Sequence, residues 1–329
     1  MIRIELGSQG LGRARFAISA LDATNDLLFA RGCAPQSLDA GWGARADEAL
    51  SARRLGLLAI VGGGGPIGYA PDFLRPEPLS FDASPDIAFH RVATASPERI
   101  RYEMSGAIGG HSWDQSSARK KPPRLLLAAL DRGEGHFAQR LADELEQFWR
   151  AALAPQWPGI RARLEADVSA RATAIARGGL VNTINQLAAN LEWCDGGLDF
   201  RLPTPGPHRM TIHADAVIFV PSAFVNRAVF CAGAPADAPD PRTPLIVYPA
   251  IPPEAARPRQ VNQLIGTTRA QLLAELVQPR TTGELAQRLH LSPATVSYHL
   301  QILHRARLIQ RTRSSRHVFY QRLPAADPV

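Results

Sequence analysis

The sequence predicts an α+β chain in which a mostly helical first domain with a small β-sheet precedes a small C-terminal domain of helices and a hairpin. Three observations carry this prediction. Apolar residues recur at helical spacing between residues 133 and 190, and short strand-like segments follow between 210 and 248. A Pro-rich stretch then separates them from a densely patterned basic tail. With 329 residues, 45% of them hydrophobic, the chain can bury the cores of two domains.

The first domain is predicted to span residues 1–258. One of its helices is indicated by apolar residues at spacings of three and four: Phe137, Leu141, Leu145 and Phe148. Short segments rich in β-branched and aromatic residues predict strands at 210–220, 227–231 and 245–248. The alternating segment 2–6 is expected to join their sheet.

The region 62–85 carries five glycines and five prolines, which predicts a long loop. Gly63, Gly65 and Gly68 have the spacing of a dinucleotide-binding fingerprint. That fingerprint requires a helix directly after it, and the prolines that follow do not permit a regular one. We therefore expect a loop here and no cofactor.

The linker between the domains is predicted at residues 249–260, because its prolines can sustain neither a helix nor an inner strand. The charge changes at the same place. Residues 259–329 hold ten arginines against three acidic residues, whereas the rest of the chain carries equal numbers of basic and acidic residues. A basic module attached to a neutral body is expected when one end of a protein meets a polyanion.

Composition also bears on compartment and metals. No stretch has the eighteen or more uninterrupted apolar residues of a membrane-spanning helix, and the first residues alternate like a strand instead of forming a signal peptide. The three cysteines contain no Cys-x-x-Cys pair. We expect a cytoplasmic protein with no membrane association and no structural metal.

The second domain, predicted at residues 261–323, begins with an amphipathic helix around Leu272 and Leu276. Thr268-x-x-Gln271 fits the pattern of a capping box at its start. Thr281-x-x-Glu284 is a second capping box and predicts a short helix. Ser292-Pro293 then supplies an N-cap hydroxyl and a proline at the first helical position, so a third helix is predicted to begin there.

In the third helix, Val296, Leu300 and Leu303 are predicted to face the core. Residues 310–320 then alternate as two strands around Ser314 and Ser315, with basic residues near the tip. This order of elements predicts a winged helix-turn-helix, whose third helix reads the major groove of duplex DNA while the hairpin lies along the phosphates.

The residues expected to contact DNA are the polar and basic side chains of the turn, the third helix and the hairpin. They are Thr281, Thr282, Ser292, Thr295, Ser297, Tyr298, Gln301, Arg305, Arg311, Arg313, Arg316 and His317. His299 borders the apolar stripe, so we expect it to pack or to touch a phosphate.

Residues 264–323 resemble the ArsR family of bacterial transcription regulators. The resemblance rests on Thr-Thr-Gly-Glu-Leu-Ala (281–286), Leu-Ser-Pro-Ala-Thr-Val-Ser-Tyr-His-Leu (291–300) and the Arg-rich hairpin that ends in Phe319-Tyr320. The front of the chain resembles, through 71–76 and 218–224, a sensor-type domain found ahead of such modules.

The resemblance implies a sequence-specific regulator, most simply a homodimeric repressor whose first domain binds a small-molecule effector or a partner. Metal-sensing members keep a Cys-x-Cys pair near the third helix or Asp and His ligands on a terminal helix, and this chain has neither. We therefore expect no metal at those positions.

Two alternatives remain for residues 1–258: an enzyme, or a protein-interaction domain, carrying a DNA-binding appendage. Gly110-His-Ser112-Trp-Asp114 resembles a nucleophile elbow but lacks its closing glycine. His213 and Asp215 fall in a predicted strand, where a structural hydrogen bond is the simpler interpretation. We expect a protein that is not an enzyme.

Overall fold

The computed structural model describes residues 1–7, 10–63, 70–109, 121–201, 210–231, 242–250, 266–306, 308–314 and 317–323. The chain divides into two compact units, Met1–Ile251 and Pro252–Val329. The linker predicted at 249–260 lies almost wholly outside the described residues. Within those residues, no helix combines the length and hydropathy that crossing a membrane requires.

The described part of the first unit is mostly helical. Its helices are α1 (Ala20–Cys33), α2 (Ala40–Ala52), α3 (Gly56–Val61), α4 (Pro85–Ala93), α5 (Pro97–Gly109), α6 (Arg124–Leu130), α7 (Glu134–Phe148), α8 (Trp157–Gly178) and α9 (Leu180–Ile184). One turn of π-helix, Trp149–Leu153, and a short 3-10 turn link α7 to α8. The apolar residues predicted from their spacing, such as Phe137 and Leu145, are fully buried in the largest core cluster.

The described strands of this unit form two four-stranded sheets and a short two-stranded pair. They are β1 (Ile2–Leu6), β2 (Arg15–Phe16), β3 (Ile18–Ser19), β4 (Asp82–Ala83), β5 (Leu191–Cys194), β6 (Gly197–Phe200), β7 (Met210–Ala214), β8 (Ile218–Ser222), β9 (Val229–Cys231) and β10 (Leu245–Pro249). The sheet orders are β5-β6-β1-β7 and β2-β8-β10-β9, and β3 pairs with β4.

The two larger sheets share one hydrophobic cluster. Ile4 and Leu198 from the first sheet and Phe219 and Ile246 from the second are buried in it. Because side chains alternate along a strand, the neighbours Ile218 and Val220 enter a separate small cluster on the other face of β8. Burial on both faces explains why β8 and β10 are nearly continuous apolar runs. The predicted α+β class is confirmed, with more sheet than was expected.

The hairpin of β5 and β6 was not predicted from the sequence. Cys194 pairs with Gly197, so Asp195 and Gly196 form a two-residue turn. Both have positive φ, 45° and 76°, as a type I′ turn requires. The dipeptide Asp195-Gly196 is itself a strong signal for such a hairpin.

In the long loop predicted at 62–85, the described residues 70–85 are more ordered than expected. A 3-10 turn, Asp72–Leu74, buries Phe73 and Leu74 completely, and β4 follows. Glu103 of α5 caps this turn, because its Oε2 accepts a hydrogen bond of 2.8 Å from the backbone N–H of Phe73. Apolar burial and the hydrogen bond from Phe73 to Glu103 therefore order residues 72–74, in a region whose glycine and proline content predicted an irregular loop.

A buried polar contact ties α8 to the second sheet. The hydroxyl of Tyr248 donates to Oδ2 of Asp167 over 2.7 Å, and Arg171 lies 3.5 Å from the other carboxylate oxygen. Burial and the neighbouring carboxylate raise the pKa of Tyr248, so the phenol stays protonated and remains a donor. The contact satisfies a carboxylate that is almost without solvent.

Replacing Tyr248 by phenylalanine is expected to destabilise the first unit by about 1.5–3 kcal/mol, the usual worth of a hydrogen bond to a charged group. The measurement is urea unfolding of the full chain. Tyr298→Phe is the control, because that ring is exposed and losing its hydroxyl should change stability by less than about 0.5 kcal/mol. Equal stabilities for the two variants would show that the buried hydroxyl contributes nothing.

The second unit contains α10 (Thr267–Glu275), α11 (Thr282–Leu289) and α12 (Pro293–Arg305), with strands β11 (Arg280–Thr281), β12 (Ile309–Ser314) and β13 (His317–Arg322). The strands form an antiparallel sheet in the order β11-β13-β12. The fully buried core residues include Leu272, Leu276, Leu285, Val296 and Leu300. This is the predicted winged helix-turn-helix with one additional strand, β11.

One cap prediction in this unit is wrong. The helix α10 begins at Thr267, its N-cap is Gly266, and no side chain caps it, so Thr268-x-x-Gln271 is not a capping box. Gly266 has φ 83°, a conformation that favours glycine. The helix therefore begins one residue before Thr268, which lies inside its first turn.

Candidate nucleic-acid interface

The start of α12 is fixed by its own sequence. Ser292 is the N-cap, and its Oγ accepts a hydrogen bond of 3.1 Å from the backbone N–H of Thr295. The two hydroxyls lie 2.8 Å apart, so the side chain of Thr295 is also held. Pro293 occupies the first helical position, as predicted. The first turn of this helix is therefore held by hydrogen bonds from its own side chains.

The helix α11, which precedes the turn, is capped equally well. The hydroxyl of Thr281 accepts from the backbone N–H of Glu284 over 3.3 Å, and Oε2 of Glu284 accepts from the backbone N–H of Thr281 over 2.7 Å. The predicted capping box is thus confirmed. The helix ends at Leu289, and His290 turns the chain with φ 54°. Thr282 is the first helical residue and is half-buried.

The outward face of α12 is a single stripe. Val296, Leu300 and Leu303 are buried in the core. At 100° per residue, the side opposite them is occupied by four exposed residues at i, i+4, i+7 and i+11: Ala294, Tyr298, Gln301 and Arg305. The predicted contacts Thr295 and Ser297 are half-buried and flank this stripe. Ala294 was missed, although counting back one turn from Tyr298 would have found it.

Tyr298 is the most prominent side chain of the stripe. Tyr298 is 62% exposed, which is a large fraction for an aromatic residue within a helix. The ring of His299 meets it edge-on, with centroids 5.3 Å apart and planes at 66°. His299 is itself half-buried, and its Nδ1 has no hydrogen-bond partner within the described residues. The tyrosine ring therefore contacts His299 and is otherwise largely open to solvent.

The hairpin places two arginines on one face. Arg311 and Arg313 alternate along β12, opposite Tyr320 and Val318 of β13, and both are exposed. Ser314 pairs with His317, so the connection is 315–316 and not Ser314-Ser315 as predicted. Arg316 lies outside the described residues, and so does the side chain of His317.

Five described arginines of this unit fall into two groups. Glu275 lies 2.6 Å from Nε of Arg288 and 3.6 Å from Nε of Arg280, and its backbone carbonyl accepts a further bond of 3.0 Å from Arg280. In contrast, three exposed arginines make no ion pair with any described residue: Arg305, Arg311 and Arg313. The end of α12 and the hairpin thus present positive charge that no described carboxylate neutralises, which suits phosphate.

Among the described residues of the first unit, the weaker candidates do not assemble into a site. Within the described residues, no group of three or more metal-ligating side chains is close enough to hold an ion. His213 is largely exposed, and its Nδ1 lies 3.1 Å from Oε2 of Glu5. Both Ser112 with its neighbours and most of the segment from Gly63 to Gly68 lie outside the described residues.

A capped helix, a tight turn, a second capped helix with an open polar stripe and a basic hairpin define a helix-turn-helix DNA-binding unit. Residues 271–311, which run from α10 to the start of the hairpin, match the model of the family described as bacterial regulatory protein, arsR family. No curated protein matches the chain. The second unit therefore carries an ArsR-type helix-turn-helix, and the chain is a DNA-binding transcription regulator.

Proposed function

We propose that the chain is a cytoplasmic, homodimeric repressor that binds an inverted repeat. In this proposal α12 of each copy enters the major groove of one half-site, and the hairpin holds flanking phosphates. The first unit binds a small-molecule effector and performs no catalysis. The observation that carries the proposal is the open stripe of α12, which ends in Arg305, together with the exposed arginines Arg311 and Arg313 of the hairpin.

Two copies are proposed because a single α12 contacts too few base pairs for specific binding. The stripe is an i, i+4, i+7, i+11 row about 17 Å long at 1.5 Å per residue, and only its first residues reach base edges when the helix lies in a groove. A single small module buries about 600–1,000 Å² on DNA, at the low end for specific binding. A two-fold dimer doubles both the bases read and the phosphates held.

The first unit is proposed to carry the regulatory site because its charge gives it no attraction to DNA. Residues 1–258 hold equal numbers of basic and acidic residues, and the unit has its own cores. A ligand that binds it must favour one of two arrangements of the dimer in order to alter DNA affinity.

The proposal is tested by selecting genomic fragments with the full chain and footprinting the bound sequence. Expected results are a two-fold symmetric footprint, two chains per duplex in sedimentation, and repression of a reporter placed behind the site. A metabolite that binds the first unit should raise its melting temperature by mass action. A one-chain complex or an asymmetric footprint would contradict the dimer.

Gln301→Ala is expected to reduce the preference for the selected duplex over a scrambled one by about 5- to 150-fold, the range of one bidentate base contact. The dependence of affinity on salt should not change, since no charge is lost. The control is Gln310→Ala, another exposed glutamine, which lies on β12 and bonds Gln321. If both variants keep full preference, Gln301 does not read a base.

A further inference from the structure

The stripe of α12 also indicates which bases it reads. Resting on the proposed function, we infer that α12 reads a short run of thymine and adenine, with Tyr298 and Ala294 against thymine methyl groups and Gln301 on adenine.

The first step is the absence of a guanine reader. Arginine or lysine bound to O6 and N7 is the commonest specific contact with guanine. From Pro293 to His304 the helix contains neither, and the one arginine of the stripe, Arg305, is its last residue. Base edges are read by the N-terminal part of such a helix, so Arg305 is left for the backbone.

The second step is the chemistry of the residues that are present. In the major groove only thymine presents a methyl group, and apolar side chains select it by contact. The methyl of Ala294 and the open ring of Tyr298 lie one helical turn apart on the outward stripe. The ring of Tyr298 contacts His299 edge-on and is otherwise largely exposed, so it is available to a base from the solvent side.

The third step concerns Gln301. It is exposed, makes no hydrogen bond with any described residue, and carries an amide that matches adenine N6 and N7. It follows Tyr298 by three residues, about 4.5 Å along the axis, and Ala294 by about 10 Å. At about 3.4 Å per base pair these side chains span roughly three consecutive pairs. The half-site is therefore inferred to contain a thymine–adenine run of that length.

The test uses the full chain and duplexes selected from random sequence. On the selected half-site each thymine is replaced in turn by uracil, which removes only the methyl group, and each adenine by 7-deazaadenine, which removes only N7. Uracil is expected to weaken binding about fourfold at one or two positions, the worth of one buried methyl. The 7-deazaadenine is expected to cost about fivefold at one position.

The variants assign each effect to a side chain. In Tyr298→Ala the uracil effect should disappear at the thymine assigned to Tyr298 and should remain at a thymine that Ala294 contacts. In Gln301→Ala the 7-deazaadenine effect should disappear, and each variant should keep the other effect. Tyr298→Phe retains the ring and should retain methyl sensitivity. The matched control is His304→Ala, an exposed residue of the same helix off the stripe, which should keep both effects.

Two outcomes overturn the inference. Sensitivity to 7-deazaguanine together with indifference to uracil would show that α12 reads guanine, while the proposed function would stand. Selection of no preferred sequence would overturn both the inference and the proposed function.

Discussion

Replacing Arg305, Arg311 and Arg313 together by alanine is expected to lower the affinity for any duplex by about two to three orders of magnitude at 0.1 M salt. Each arginine that neutralises a phosphate contributes about 0.9 to the slope of log affinity against log salt concentration, so the slope should fall by about 2.7. The three side chains are exposed and have no carboxylate partner in the described part of the chain, so their charge is available to DNA. The measurement is a titration of one duplex at several salt concentrations.

The control for this variant changes the net charge equally but elsewhere. Arg53, Arg132 and Arg177 are exposed residues of the first unit, and the triple alanine variant should keep the wild-type slope. A similar fall in both variants would show that the total charge of the chain, and not the surface of the second unit, sets the attraction. If both triple variants keep the wild-type slope, Arg305, Arg311 and Arg313 do not contact phosphates.

The second large effect is expected in the first unit. Asp22 and Asp26, four residues apart in α1, are each 1% exposed, and Nη1 of Arg75 lies 3.3 Å from Oδ1 of Asp22 and 2.7 Å from Oδ1 of Asp26. Burial raises the pKa of Asp22 to about 6 and raises that of Asp26, while Arg75 acts against both shifts. Arg75→Ala leaves two buried carboxyl groups without this cation. It should therefore cost about 3–5 kcal/mol of unfolding free energy.

The loss should depend on pH. A carboxyl group whose pKa is higher in the folded state than its ordinary value near 4 favours folding when protonated, and this contribution is lost as pH rises through the folded pKa. Removal of Arg75 raises the pKa of Asp22 and Asp26 further. The deficit relative to wild type should therefore be smallest near pH 4 and largest near pH 8, as measured by urea unfolding across this range.

Neutralising the carboxyls tests the cause. Adding Asp22→Asn and Asp26→Asn to Arg75→Ala should recover part of the stability and flatten the pH dependence. Arg53→Ala is the control, since an exposed arginine should cost less than about 0.5 kcal/mol at every pH. A deficit in Arg75→Ala that is equal at all pH values would mean that lost packing, and not charge, is responsible.

The second unit was predictable because its signals are local. Thr281 and Glu284 cap α11 and Ser292 caps α12 within four residues of chain, and the spacing of Val296, Leu300 and Leu303 assigns the buried face. The residues expected to contact DNA stay predictions, because no nucleic acid tests them. The strand β11 was not predicted from the sequence, because two residues are too few to show the alternation of a strand. They form a strand by pairing with β13.

The first unit was less predictable because long-range burial overrides local pattern. Helix α1 is buried nearly all round, so its apolar residues show no helical period. Its polar residues Asp22, Thr24 and Asp26 are typical of a solvated face in the sequence, yet each is buried. Arg75, which lies 53 residues after Asp22 in the sequence, supplies the cation that offsets part of the cost of burying the two aspartates. The two aspartates and Arg75 are too far apart in the sequence for a local pattern to reveal their contact.

The ion pairs of Glu275 have a consequence for how the regulator searches a genome. Most of the DNA in a genome lacks the target sequence. The affinity of the protein for such DNA is set by charge and not by base contacts. In the proposed complex, the ion pairs of Glu275 lower the positive charge that Arg280 and Arg288 offer to DNA of any sequence, and they leave the stripe of α12 unchanged. Selectivity would then come partly from this reduced general attraction.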